Sequence, residues 1–110
     1  MLRLPALQLL TVLLHQVAPA ELEDVLRGLE GVLDVAVIGV ESEREGELPR
    51  AYIVREEAGP SEETIHHYME EQVAEHKQLR GGIQFVQSIP KSAAGKILRK
   101  DLKALYKAAV

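Results

Sequence analysis

Apolar positions along this chain alternate between a helical and a strand-like rhythm, with short polar punctuation between them. From Pro19 to Leu29 (PAELEDVLRGL) the residues Leu22, Val25, Leu26 and Leu29 recur at helical spacing, behind a proline suited to a helix start and acids Glu21, Glu23 and Asp24 in the first turn. Gly28 and Gly31 weaken and end that helix. Val32 to Val40 (VLDVAVIGV) is short, β-branched and nearly continuously apolar, which predicts a central strand covered on both faces. Glu41 to Pro49 reads as a charged loop or hairpin tip. Arg50 to Glu56 alternates again and predicts an antiparallel partner strand.

Ala58-Gly59-Pro60 closes this pair, and Ser61 precedes Glu62-Glu63-Thr64 as an N-cap before acids of a first turn. Ile65, Tyr68, Met69, Gln72, Val73 and His76 would then share one helix face. Lys77 to Gly82 is a basic, glycine-terminated connector, Ile83 to Ile89 predicts a third strand, Pro90 to Gly95 a loop, and Lys100 to Val110 a terminal helix. These elements define a small single α+β domain with a central sheet of about three strands flanked by helices.

Composition narrows the function classes. With 110 residues, 46% hydrophobic and 27% charged, the chain is globular and sized for one modest core, without room for two lobes around a deep cleft. The net charge of −4 supplies no global attraction for nucleic acid, so no nucleic-acid partner is expected. Basic residues concentrate instead at the C-terminal end, where Lys91, Lys96, Arg99, Lys100, Lys103 and Lys107 surround the single acid Asp101. An anionic ligand is therefore to be sought there. The absence of cysteine excludes a disulfide framework, a thiolate zinc site and a cysteine nucleophile.

The remaining chemistry-bearing residues exclude more than they offer. Among four histidines only His66 and His67 are adjacent, and neighbours on a helix point about 100° apart, so no metal site is expected. Glu62/Glu63 and Glu70/Glu71 read as solvated charges. Ser42, Ser61, Ser88 and Ser92 lack a G-x-S-x-G setting, and no glycine-rich phosphate loop of the P-loop or dinucleotide type occurs. One feature survives. Ile89-Pro90-Lys91-Ser92-Ala93-Ala94-Gly95-Lys96-Ile97 places Gly95 immediately before Lys96 on a small-residue loop ahead of a basic helix. An ammonium on such a tip can be brought against a phosphate or carboxylate and stabilise its charge.

Four blocks then resemble, in order and spacing, the C-terminal domain of the adenylate-forming acyl-CoA synthetases, 4-coumarate-CoA ligases and beetle luciferases. Gln16-Val17-Ala18-Pro19-Ala20-Glu21-Leu22-Glu23 is similar to the family's Q-V-x-P-x-E-[LI]-E. Val35 to Val40 with Gly46-Glu47-Leu48-Pro49-Arg50-Ala51 resembles V-A-V-[IV]-G-[VL]…G-E-x-P-x-A. Lys77 to Val86 resembles K-x-L-[RA]-G-G-[VI]-x-F-V, and Ile89 to Leu102 resembles I-P-K-[ST]-x-[ST]-G-K-I-[LM]-R-[RK]-x-L.

In that family a carboxylate attacks the α-phosphate of ATP to give an acyl-adenylate and pyrophosphate, the C-terminal domain rotates, and the CoA thiol attacks the adenylate. The resemblance implies that Lys96 is the catalytic lysine bridging carboxylate and phosphate during adenylation. It further implies that Gln16 lies near the adenylate or CoA, and that Gly81 and Gly82 flank the pantetheine passage. ATP, Mg and CoA are implied for the complete enzyme, none of them bound by this domain alone. The partners expected are a large N-terminal adenylation domain and, once complemented, acyl-adenylate and CoA.

The resemblance covers about residues 16–110 and stops abruptly before them. Where the family has a hinge aspartate and arginine, this chain carries Leu4 and Pro5. Leu7, Thr11, Leu13 and Leu14 occupy its basic and glycine positions, and His15 its aromatic one. Ser42 also stands where a G-[VL]-P-D turn has aspartate. Residues 1–15 are read as a divergent apolar segment, as from an alternative start, a truncated gene model or a degenerate copy.

By pattern Met1 to Ala20 also fits a signal peptide with an A-x-A site, but cleavage after Ala20 would remove residues that the resemblance places inside the domain. The segment is too short for a membrane span, which needs about 20 predominantly apolar residues. A cytoplasmic location is expected, with secretion as the alternative; Lys107-Ala108-Ala109-Val110 is not a peroxisomal S-K-L signal. The expected function is that of a ligase lid inactive alone, the alternative a non-catalytic remnant that binds or regulates an intact ligase.

Overall fold

A computed structural model describes residues 17–109. The elements run α1 (Pro19–Arg27), β1 (Val32–Ser42), β2 (Gly46–Arg55), α2 (Glu62–Gln72), a single 3₁₀ turn (Glu75–Lys77), β3 (Ile83–Phe85) and α3 (Arg99–Ala109). β1 and β2 form an antiparallel hairpin from Ser42↔Gly46 to Val32↔Arg55, and β3 joins β2 in parallel, with Ala51 opposite Ile83. The parallel pairing requires a crossover, and α2 supplies it.

The period of two along β1 divides the core between the two faces of the sheet. Val35 and Val37 point to one face, where with Ala51 and Ile53 they meet Leu22 and Leu26 of α1, Ile65 and Met69 of α2, and Leu79. Ala36, Ile38 and Val40 point to the other, packing with Tyr52, Ile89 and Leu102 of α3. Each fully buried Leu or Ile contributes about 2 kcal/mol, so the face carrying α1 and α2 is the main store of stability. α2 begins as expected: the Ser61 side chain accepts from the Thr64 N–H at 3.1 Å. Its other end is closed by Gln78, whose Nε2 donates to the Met69 and Val73 carbonyls at 2.9 Å each.

Several expectations are corrected. Val32 to Val40 is covered on both faces as predicted, yet the strand order β1-β2-β3 makes β2 central and leaves β1 at an edge among the described residues. The charged connection is much shorter than Glu41–Pro49, because cross-strand pairing extends to Ser42↔Gly46 despite the charges. Pro49 is tolerated inside β2 because its imide nitrogen faces away from β1, toward the end where β3 has not yet begun. α2 stops at Gln72, which is exposed, and His76 lies in the separate 3₁₀ turn, so the proposed face ends at Val73. Of the third strand only Ile83–Phe85 pairs. Among the described residues no helix is long and apolar enough to cross a membrane.

Candidate functional site

The segment from Ile89 to Leu98 is a hairpin laid beside the sheet. Ile89 anchors it in the core, and Lys91 faces Ile97 in an antiparallel bridge. The Gly95 N–H donates to the Ser92 carbonyl at 2.9 Å, the Ser92 N–H to the Lys96 carbonyl at 2.8 Å, and the Leu98 N–H to the Pro90 carbonyl at 2.9 Å. The Ser92 hydroxyl accepts from the Lys96 N–H at 3.2 Å. This is a three-residue hairpin turn whose last position needs a left-handed backbone, and Gly95 supplies it with φ of +84°. The tip is thus internally hydrogen-bonded while the Lys96 side chain is exposed.

Two ion pairs tie the base of the hairpin to the rest of the domain, one to β1 and one to α1. Lys91 Nζ lies 2.6 Å from Asp34 Oδ2, and Arg99, the first residue of α3, places Nη2 2.6 Å from Oε1 of Glu23. Glu23 is buried on α1, and its Oε2 accepts from the Val37 N–H at 2.8 Å. The Arg99 Nε–H donates to the Val37 carbonyl at 3.3 Å. Val37 therefore turns both backbone groups away from β2, and a carboxylate and a guanidinium bound to each other complete them where a neighbouring strand would. Sequence reading grouped Arg99 with the other C-terminal bases and Glu23 with first-turn acids; nothing in local periodicity distinguishes an acid that folds inward beside an apolar stripe.

Gly81 and Gly82 sit along the other edge of the hairpin sheet, beside β2. The Gly81 N–H donates to the Pro49 carbonyl at 2.8 Å, and the Gly82 carbonyl accepts from the Ala51 N–H at 3.0 Å. A Cβ on Gly81 would lie 2.7 Å from the Pro49 oxygen and 2.9 Å from Val40 Cγ2, so the glycine is required by close backbone approach within this domain. Gly82 has φ of +99°. Arg50 braces the turn, donating to the Gly81 carbonyl at 3.0 Å and to Gln84 Oε1 at 2.8 Å, with its guanidinium over the rings of Tyr52 and Tyr106. Gly82 also lines a shallow cleft of about 390 Å³ with His66, Gln78 and Arg80.

The structure does not bring the expected site residues together. The base of the Lys96 hairpin bonds the outer edge of β1 at Asp34 and Val37, whereas Gly81 and Gly82 bond the far edge of β2 at Pro49 and Ala51. Gln16 lies outside the described residues. His66 faces Glu62 at 3.8 Å and His67 faces Glu71 at 3.5 Å as ordinary neighbours on α2. Among the described residues no three His, Asp or Glu side chains converge as a metal site. The geometry offers an exposed cation on an ordered tip, which fits one contact to a phosphate or carboxylate, and at a distance a tightly packed diglycine turn.

This fold and these motifs have known counterparts. The AMP-binding enzyme C-terminal domain family matches residues 21–96, and the chain belongs to that family. A phenylacetyl-CoA ligase of Aspergillus niger is 46% identical over 80% of this chain and 16% of its own length. The 4-coumarate-CoA ligase 1 of Arabidopsis thaliana is 43% identical over 81% of this chain and 16% of its own. A solved fatty acyl CoA synthetase of Mycobacterium tuberculosis superposes with a TM-score of 0.78 at 38% identity, covering 86% of this chain and 18% of the synthetase. The chain thus spans less than a fifth of the length of these proteins and corresponds to their C-terminal domain.

Proposed function

We propose that this chain is the lid of an ATP-dependent carboxylate-CoA ligase and supplies Lys96 to a large adenylation domain, in trans or as part of a longer enzyme. The observation carrying this reading is the hairpin itself: a backbone held by its own hydrogen bonds presents an exposed ammonium at the family's lysine position. Against an α-phosphate and an attacking carboxylate, that charge offsets the negative charge gathered in the transition state. ATP, Mg and CoA belong to the assembled enzyme, and Gln16 is assigned to the adenylate or CoA by its motif.

The separation of Lys96 from Gly81 and Gly82 supports two docking poses. One face of the domain serves adenylation through Lys96. A rotation then presents the diglycine end, which lines the passage for the pantetheine arm during thioester formation. Residues 16–110 form the lid in this reading, and the chain by itself does not adenylate.

ATP–pyrophosphate exchange with a panel of carboxylates tests this. The chain alone is expected to be silent. Mixed with the large domain of the 4-coumarate-CoA ligase, its own lid deleted, it is expected to restore exchange with 4-coumarate, and Lys96→Ala to reduce that rate by about 10²- to 10³-fold. Exchange by the chain alone that Lys96→Ala abolishes would overturn the reading. A second reading rests on Leu4, Pro5, Leu7, Thr11, Leu13 and Leu14 at the family's hinge, basic and glycine positions: a non-catalytic module that docks on an intact ligase. Stable binding to the large domain without any exchange would favour it.

A further inference from the structure

Lys96 can act on a reacting phosphate only if its hairpin is aimed, and the tip does not aim itself. Its own hydrogen bonds fix the shape of the turn from Ser92 to Lys96, but they say nothing of how that turn is oriented on the sheet. Orientation comes from the base, where the arm leaving Lys96 reaches Arg99 after two residues. Arg99 is joined at once to the Val37 carbonyl and to Glu23, and Glu23 in turn holds the Val37 N–H. The three groups close a ring across the outer edge of β1: strand amide to carboxylate, carboxylate to guanidinium, guanidinium to strand carbonyl. The Glu23 side chain is 3% exposed and that of Arg99 36%, so the carboxylate end of this contact is shielded from competition by water, whereas the exposed surface pairs of the chain are not.

We infer that Glu23 and Arg99 are positioning residues for Lys96, setting the direction in which the ammonium leaves the domain during adenylation. The inference rests on the lid reading above. Lysine in place of arginine would keep the charge but lose the planar fork that reaches the Val37 carbonyl and Glu23 together. The hairpin would then pivot on its remaining anchors, the core contacts of Ile89 and Ile97 and the Lys91–Asp34 pair. A displacement of about 1 Å at a reacting centre costs on the order of 10²-fold in rate. In the two-pose reading the diglycine end and not Lys96 serves thioester formation, so the two half-reactions should part company.

The experiment uses the full chain with the lid-deleted large domain of the 4-coumarate-CoA ligase. It measures adenylation by ATP–pyrophosphate exchange with 4-coumarate, and thioester formation from preformed 4-coumaroyl-adenylate and CoA. Arg99→Lys is expected to lower the adenylation kcat by about 10- to 100-fold, with the KM for ATP and the thioester half-reaction within twofold of wild type. Because a buried charge left without its partner can unfold a domain, the double variant Glu23→Gln/Arg99→Gln, which removes both charges together, provides a second route to the same loss of aim.

Equal loss in both half-reactions would assign the pair a purely structural role and overturn the inference. So would an unchanged adenylation rate in Arg99→Lys when Lys96→Ala is silent, a result that leaves the lid reading standing. If Lys96→Ala itself has no effect, the lid reading falls and the inference with it.

Discussion

The Lys96 hairpin and the Gly81–Gly82 turn both depend on a glycine with positive φ, +84° at Gly95 and +99° at Gly82, yet they are built in opposite ways. Around Gly95 an added Cβ would meet nothing within 4 Å, whereas at Gly81 it would run into the Pro49 carbonyl and Val40. The hairpin tip is stiff in its backbone and empty around its side chains. The diglycine turn is packed into its own domain, bonded to β2 on one side and braced by Arg50 on the other. Glycine before Lys96 serves a backbone angle; glycine at 81 serves a close contact. The lesson is that an open site and a filled one can carry the same residue type for different reasons, and that only the open one leaves the neighbouring Lys96 side chain exposed.

That contrast can be broken experimentally. Gly81→Ala should have the largest effect on stability, about 2 kcal/mol, because the methyl group overpacks against backbone that cannot yield; urea denaturation of the isolated chain measures it, and a loss below about 0.5 kcal/mol would mean the Pro49 approach relaxes freely. Gly95→Ala should cost about 1 kcal/mol, the penalty of a left-handed alanine alone, since there is space for the methyl group. A cost equal to that of Gly81→Ala would erase the distinction between the two turns. Ser92→Ala should be the mildest, about 0.5 kcal/mol or less, because the hydroxyl it removes bonds one solvent-exposed amide. Its mark should be faster hydrogen exchange at the Lys96 amide, with protection of the Ala51 amide, bonded to Gly82, unchanged.

How far these regions were legible in the sequence differs for the same reason. The hairpin carries local signals: a proline, a run of small residues, a glycine, then a lysine ahead of a helix, each of which acts on its own neighbours in the chain. The family wording of that loop pointed to Lys96, and the structure exposes the side chain it named. At Gly81 the close approach that requires glycine comes from Pro49, more than thirty residues earlier in the chain, and no local pattern announces such a neighbour. The face assigned to α2 failed at Gln72, the exposed last residue of the helix, and at His76, which lies beyond the helix in the 3₁₀ turn. Exposed glutamine and histidine fit a helical rhythm as well as buried ones do when only spacing is counted.

What the sequence alone determined is the set of elements, the α+β class, the membership of the AMP-binding enzyme C-terminal domain family carried by four ordered motifs, and the identity of the exposed lysine. Periodicity, capping and turn chemistry act over a few residues and can be read directly. The tertiary structure alone decided that β2 and not β1 is the middle strand, and that β3 runs parallel to it. It also decided that the base of the Lys96 hairpin bonds the outer edge of β1 while the diglycine bonds the far edge of β2, and that Glu23, Arg99 and Val37 close into one ring across the sheet edge. Those outcomes depend on which distant groups satisfy each other once water is removed. Glu23 and Arg99, separated by 76 positions, become partners only because the strand edge between them had both a donor and an acceptor left to fill.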